Sequence, residues 1–198
     1  MELGFWIPIG ILVLLLLWVA VTFNRFVSLS RHVDEAWSGV LVQLKRRHDL
    51  IPNLLETVKA YMKHEKSTLA EVTALRSAAV DAVRDATAGR RGVSGADLGP
   101  LLAAEQALAP ALGRLMMVAE QYPDLKASEN FSYLQSALSE QEEQLQMARR
   151  YYNGTVRDYT ILRESFPSLF VASAFKFGPR QFFELDSAAE AATPQVTL

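Results

Sequence analysis

No cysteine occurs in the 198 residues. Disulfides, thiolate nucleophiles and thiolate zinc sites are therefore excluded together, and the redox compartment stays open. Neither sign of charge is in surplus: 20 Lys and Arg against 22 Asp and Glu leave a net charge of −2, which supplies no field for nucleic acid. Histidine is scarce as well. His32, His48 and His64 recur every 16 residues, about 24 Å apart on a continuous helix, whereas metal ligands must converge within about 2 Å of one ion. Only a fold-back at Pro52 would bring them together. A Gly-rich phosphate loop, a nucleophile elbow and a His-Glu-x-x-His helix are also missing. With no convergent set of reactive groups, the expectation is a non-enzymatic protein without cofactor or metal.

What the chain does contain starts at its beginning. From Leu3 to Phe23 there is no charged side chain, and about 21 helical residues at about 1.5 Å each match a hydrocarbon core of about 30 Å. A cleaved signal peptide would need a basic start, a shorter apolar run and a small-x-small site. Here the opening is Met1-Glu2-Leu3, and only Ala20-Val21-Thr22 resembles such a site. Residues 1–23 are read as a transmembrane anchor, with Pro8 and Gly10 inside it as a possible kink or helix contact. Arg25 and Arg31, then Lys45, Arg46 and Arg47, follow the span and none precedes it. That asymmetry predicts a bundle facing the cytoplasm.

Beyond the span, residues 24–166 carry helical periodicity. Phe26, Leu29, Val33, Trp37, Val40, Leu44 and Ile51 form one apolar stripe with steps of three, four and seven. Pro52 disfavours helical backbone at Ile51, so His48-Asp49-Leu50-Ile51-Pro52 is either a tight turn or a kink, and the turn is preferred. A second stripe runs through Val58, Met62, Leu69, Val72, Ala79 and Val83 to about Thr87, interrupted in phase by Glu65 and Arg76. The glycines of residues 88–95 mark a flexible connection. Asp97 and Pro100 suit the start of a third helix, with Leu101, Leu108, Leu112, Leu115 and Ala119 on its apolar face. Pro110 inside that run predicts a bend or a late start.

Tyr122-Pro123-Asp124-Leu125 closes the third helix, and Ser128 or Asn130 can cap a fourth that reaches about Phe166. In it Phe131, Leu138, Leu145, Tyr152, Tyr159 and Phe166 repeat at seven, with Leu134, Gln141, Ala148, Thr155 and Leu162 on the alternate seam. The fold class expected is all-α: an N-terminal transmembrane helix followed by an elongated antiparallel four-helix up-and-down bundle. Residues 167–184 form a Phe-rich amphipathic segment. Phe166, Phe170, Phe175, Phe177, Phe182 and Phe183 place six rings within 18 residues, too few and too interrupted to span a bilayer. Such a segment either folds back on the bundle or lies in the lipid interface with Lys176 and Arg180 snorkelling. The second outcome requires the fourth helix to return to the membrane, and a single kinked helix through Pro52 would send it to the far tip instead. Residues 185–198 read as a disordered tail.

These residues carry a resemblance. Val33-Asp34-Glu35-Ala36-Trp37 and the run from Gln43 to Leu54, together with Tyr122 to Phe131, Ala148 to Asn153, Val156 to Tyr159 and Phe177 to Phe183, are similar to the signature blocks of the LemA family of bacterial membrane proteins. The similarity covers about Phe23 to Glu184. It implies a short exposed N-terminus, one helix in the bacterial cytoplasmic (inner) membrane, an antiparallel helical bundle and no established enzymatic activity. One branch of the family is tied to magnetosome membranes. This sequence departs from the family pattern at Gly154-Thr155, at Thr160 and at Pro110.

Candidate interaction residues fall in two groups. Arg46, Arg47 and Asp49 belong to the densest charge run, which is either a solvated turn or part of an ion-pair network reaching Asp158 or Glu164 on another helix. Phe170, Phe175, Phe177, Arg180, Phe182 and Phe183 make up the aromatic end. The function expected is a membrane-anchored, non-enzymatic scaffold or membrane-organising protein that self-associates; the alternative is an accessory subunit regulating a membrane protease or transporter. Partners expected are membrane lipid and further copies of the chain, or, on the alternative, another membrane protein, with no nucleic acid.

Overall fold

The computed structural model describes residues 3–88 and 98–184. Most of them lie in six helices: α1 (Leu3–Tyr61), α2 (Lys66–Ala88), α3 (Gly99–Ala119), α4 (Pro123–Lys126), α5 (Glu129–Glu164) and α6 (Ser168–Ala174). The core of the glycine-rich connection, the Asp97 cap and the tail from residue 185 lie outside the described residues.

The apolar opening and the first bundle stripe are one uninterrupted helix. Every residue from Trp6 to Trp18 is exposed, and the first buried residue after them is Thr22. From there Phe26, Val33, Trp37, Val40, Leu44 and Ile51 are buried and Leu29 half-buried, the predicted stripe. The preferred turn at Pro52 does not exist. α1 continues nine residues further to Tyr61, and the chain reverses at residues 62–65. The physical reason lies in the carbonyl that Pro52 leaves without a helical donor, that of His48. Arg76 Nε, from α2, donates to it at 2.9 Å, which satisfies the helix at its weakest point.

α2 then lies along α1, with Val83 and Thr87 sharing a groove with Leu41 and Ser38. α3 packs on α2, where Arg114 pairs with Glu71. α5 makes the most extensive contact with α1. Its Glu142 reaches Arg47, its Tyr152 ring sits 5.2 Å from Trp37 and its Tyr159 ring 6.1 Å from Phe26. The return turn thus exists, ten residues after the proline that was expected to make it. α3 starts at Gly99 and runs through Pro110, so the late start is also corrected. In α5 the two seams are buried or half-buried from Phe131 to Leu162, but Phe166 lies past the helix end and is 78% exposed.

Two apolar clusters make the core. One gathers Phe26 to Leu44 of α1, Leu98 and Leu101, Leu145 to Tyr159 of α5, and Val171, Ala172 and Phe183. The other gathers Ile51 to Met62, Val72 and Ala79 of α2, Leu108 to Ala119 of α3, and Leu125, Phe131 and Leu134. α2 ends beside Ser38, and closer to the apolar run α1 and α5 are instead packed by α6 and residues 175–183. Besides α1, α3 is long and apolar enough to cross a membrane, but it buries six residues against the bundle, a glutamate among them.

Candidate functional site

Between the two clusters lies a charged layer. Glu105 of α3 is fully buried, and Arg47 and His48 of α1 are 3% and 1% exposed. Arg47 Nη2 donates to Glu105 Oε2, and its Nη1 donates to Glu142 Oε2 of α5 at 3.0 Å. His48 Nε2 is 2.9 Å from Glu105 Oε1; against an ionised carboxylate, which only accepts, that nitrogen carries the proton. One guanidinium therefore ties α1, α3 and α5 together, while Arg76 ties α2 to the same turn of α1. Arg47 Nε and the side-chain oxygens of Gln43 and Gln141 are buried nearby without a hydrogen bond from the chain. Desolvating the charges of the layer offsets much of their mutual attraction.

The second polar site is built where residues 175–183 dock. The segment is irregular, so its backbone needs partners from side chains, and α5 provides them. Tyr159 Oη donates to Gly178 O at 2.8 Å, Tyr152 Oη to Gln181 O at 2.7 Å and Arg163 Nε to Phe177 O at 3.2 Å. Asn153 brackets Phe183, accepting its N–H at 2.9 Å and donating to its carbonyl at 3.1 Å. From α1, Ser30 Oγ accepts from Arg180 at 2.7 Å, and Asp34 forms an ion pair with it at 3.1 Å. Arg180 also lies over the Tyr159 ring. Phe177 stacks on Phe26 at 4.7 Å, and Phe183, fully buried, meets Trp37 at 5.9 Å. Burial pushes the Tyr152 phenol up to about 12 against the partial opposition of Arg180. The Tyr159 phenol is raised for the same reason.

The predicted residues separate on this geometry. Arg47 is buried in the layer, whereas Arg46 and Asp49 are exposed on α1 and the run is neither a turn nor uniformly solvated. The pair with Asp158 that the ion-pair reading allowed does not form. Arg47 faces Glu142, and Asp158 lies 16 residues further along α5, about 24 Å away, beside Arg157; Glu164 pairs with Arg163. Phe177, Arg180 and Phe183 are brought together against α1 and α5. Phe170, Phe175 and Phe182 keep 61%, 51% and 39% of their surface.

Glu105, His48, Asn153 and Asp34 were not anticipated as site residues. A signal for Glu105 existed: it stands four residues after Leu101 and three before Leu108, a carboxylate on an apolar face. The departure at Gly154 has no packing role, since a Cβ there would meet nothing within 4 Å. Among the described residues, no three His, Asp or Glu side chains are grouped as metal ligands would be.

An exposed, charge-free helix continuous with a packed helical domain defines the chain as a membrane-associated, all-helical protein. It matches the LemA family over residues 36–198, and the chain belongs to that family. It is similar to magnetosome proteins MamQ 2 and MamQ 1 of Paramagnetospirillum magneticum. Each is 27% identical over 188 residues, covering 88% of this chain and 68% of the relative. Magnetosome protein MamQ of Magnetospirillum gryphiswaldense is 24% identical over the same coverage. The apolar helix and these relatives together point to a bacterial membrane protein.

Proposed function

We propose that the chain is a single-pass membrane-anchored scaffold whose antiparallel four-helix bundle organises membrane by self-association rather than by chemistry. The observation that supports it is the continuity of α1. Anchor and bundle spine are one helix from Leu3 to Tyr61, so the domain stands off the bilayer as a stiff rod of about 57 Å beyond Phe23. Its buried charged side chains hold elements together: the Arg47–His48–Glu105 layer pairs internally and Arg180 clips the C-terminal segment. Nothing in that arrangement presents a nucleophile, base and oxyanion site to one point.

A second reading, an accessory subunit of a membrane protease or transporter, is favoured by the groove between α1 and α2. Leu41, Val42, Val80 and Val83 line an open cleft of about 700 Å³, an apolar groove of the kind into which a helix ridge packs. Native purification in mild detergent followed by mass measurement separates the two. A defined homo-oligomer supports the scaffold, a stoichiometric foreign subunit supports the regulator, and a lone monomer defeats both.

A further inference from the structure

α6 and the residues on either side of it leave apolar surface uncovered at one particular level of the molecule. Phe166 and Phe170 pack edge to face at 6.0 Å and are 78% and 61% exposed, and Phe175 is 51% exposed. Phe175 meets Phe23 at 4.9 Å, and Phe23 closes the charge-free run of α1. Val19 and Phe23 pack against the cluster that contains Val171 and Ala172. α6 therefore lies beside the last turns of the apolar helix, not beside the far tip of the rod.

The turn after α6 adds a charge to this surface. Phe177 N–H returns to Ala172 O at 2.9 Å and Lys176 N–H to Ser173 O at 3.3 Å, the paired bonds of a Schellman end. Its left-handed position, which glycine occupies without steric cost, holds Lys176 at φ 58°. A left-handed backbone thus holds an exposed lysine directly after the uncovered Phe175.

From this placement we infer that α6 with the residues flanking it is a second membrane contact, Phe166, Phe170 and Phe175 at the boundary of acyl chains and headgroups and Lys176 against anionic lipid phosphate. The inference rests on the anchored reading above, since it concerns the bilayer that α1 enters. Rings with a flanking lysine match an interface chemically, where aromatic faces meet acyl chains and an amine meets phosphate.

The absence of cysteine makes the test clean, because a single introduced thiol takes the only spin label. Full-length chain would be labelled at Phe170→Cys, or at Phe166→Cys as a second site, in phosphatidylcholine vesicles with and without phosphatidylglycerol. Leu14→Cys and Tyr133→Cys serve as references for lipid and water. The ratio of oxygen to nickel-complex collisions at 170 should approach that at 14 and exceed that at 133 several-fold. A ratio equal to that at 133, with 14 still in lipid, overturns the contact and leaves the anchor standing. Shielding from both reagents means a protein covers the rings and overturns it too. An aqueous ratio at 14 defeats the anchored reading itself. Phosphatidylglycerol should deepen the label, and Lys176→Gly, which relaxes the turn, should abolish that increment; an increment that survives overturns the lysine's role.

Discussion

Pro52 has no N–H, so the carbonyl of His48 in α1 loses its ordinary helical donor. Arg76, 28 residues later, supplies one from α2. Removing that side chain orphans a partly buried carbonyl, and Arg76→Ala should cost about 1–3 kcal/mol, as for hydrogen bonds from charged donors. Pro52→Ala restores the missing N–H. In that background the same Arg76→Ala change should fall to about 0.5 kcal/mol, the scale of a surface substitution. Denaturant unfolding of the four chains forms a double-mutant cycle, and equal losses in both backgrounds would show that Arg76 acts on something other than the proline's carbonyl.

At the scale of elements, the docked segment 175–183 is held chiefly by phenols and an amide of α5. Tyr152 illustrates how that docking responds to pH. Its folded pKa is raised to about 12 from 10.0, so the native state keeps a proton that the released chain gives up. The docking contribution is complete below pH 10, and it is lost as pH rises through about 12. Trp37, in contact with both Tyr152 and Phe183, reports the event by fluorescence once Trp6 and Trp18 are replaced by Phe. Tyr152→Phe should lose the bond to Gln181 O, weaken docking by about 0.5–1.5 kcal/mol at neutral pH, and shift the alkaline Trp37 transition. An unchanged transition would assign it to another group. The helices were legible in the sequence because burial repeats every three, four or seven positions, as in α5 from Phe131 to Leu162. The docking was not, because Tyr152, Asn153 and Tyr159 donate to carbonyls of an irregular segment, and no periodicity records such a pairing. Pro52 misled for a related reason: the rule names the broken bond but not the distant arginine that replaces it.

For the whole molecule, the Arg47–His48–Glu105 layer divides the rod into two apolar cores about 36 Å beyond Phe23. Deleting one partner and replacing the whole layer should have opposite consequences. Glu105→Ala leaves the buried guanidinium with only the half-exposed Glu142 and His48 Nε2 without its acceptor, and should destabilise the chain by about 3–5 kcal/mol. The triple variant Arg47→Met, His48→Leu, Glu105→Leu joins the two cores and leaves Glu142, whose side chain is 44% exposed, to be solvated. Its stability should equal or exceed the parent's by up to about 4 kcal/mol. What it should lose is register, since apolar seams on both sides of the layer permit α5 to slide by a heptad where the guanidinium fork does not. Hydrogen exchange along α5, measured beside denaturant unfolding, reads both quantities. Stability retained with faster exchange assigns the layer to specificity; a triple variant as unstable as Glu105→Ala would make it a net source of stability, and the rod's rigidity would then depend on its charges.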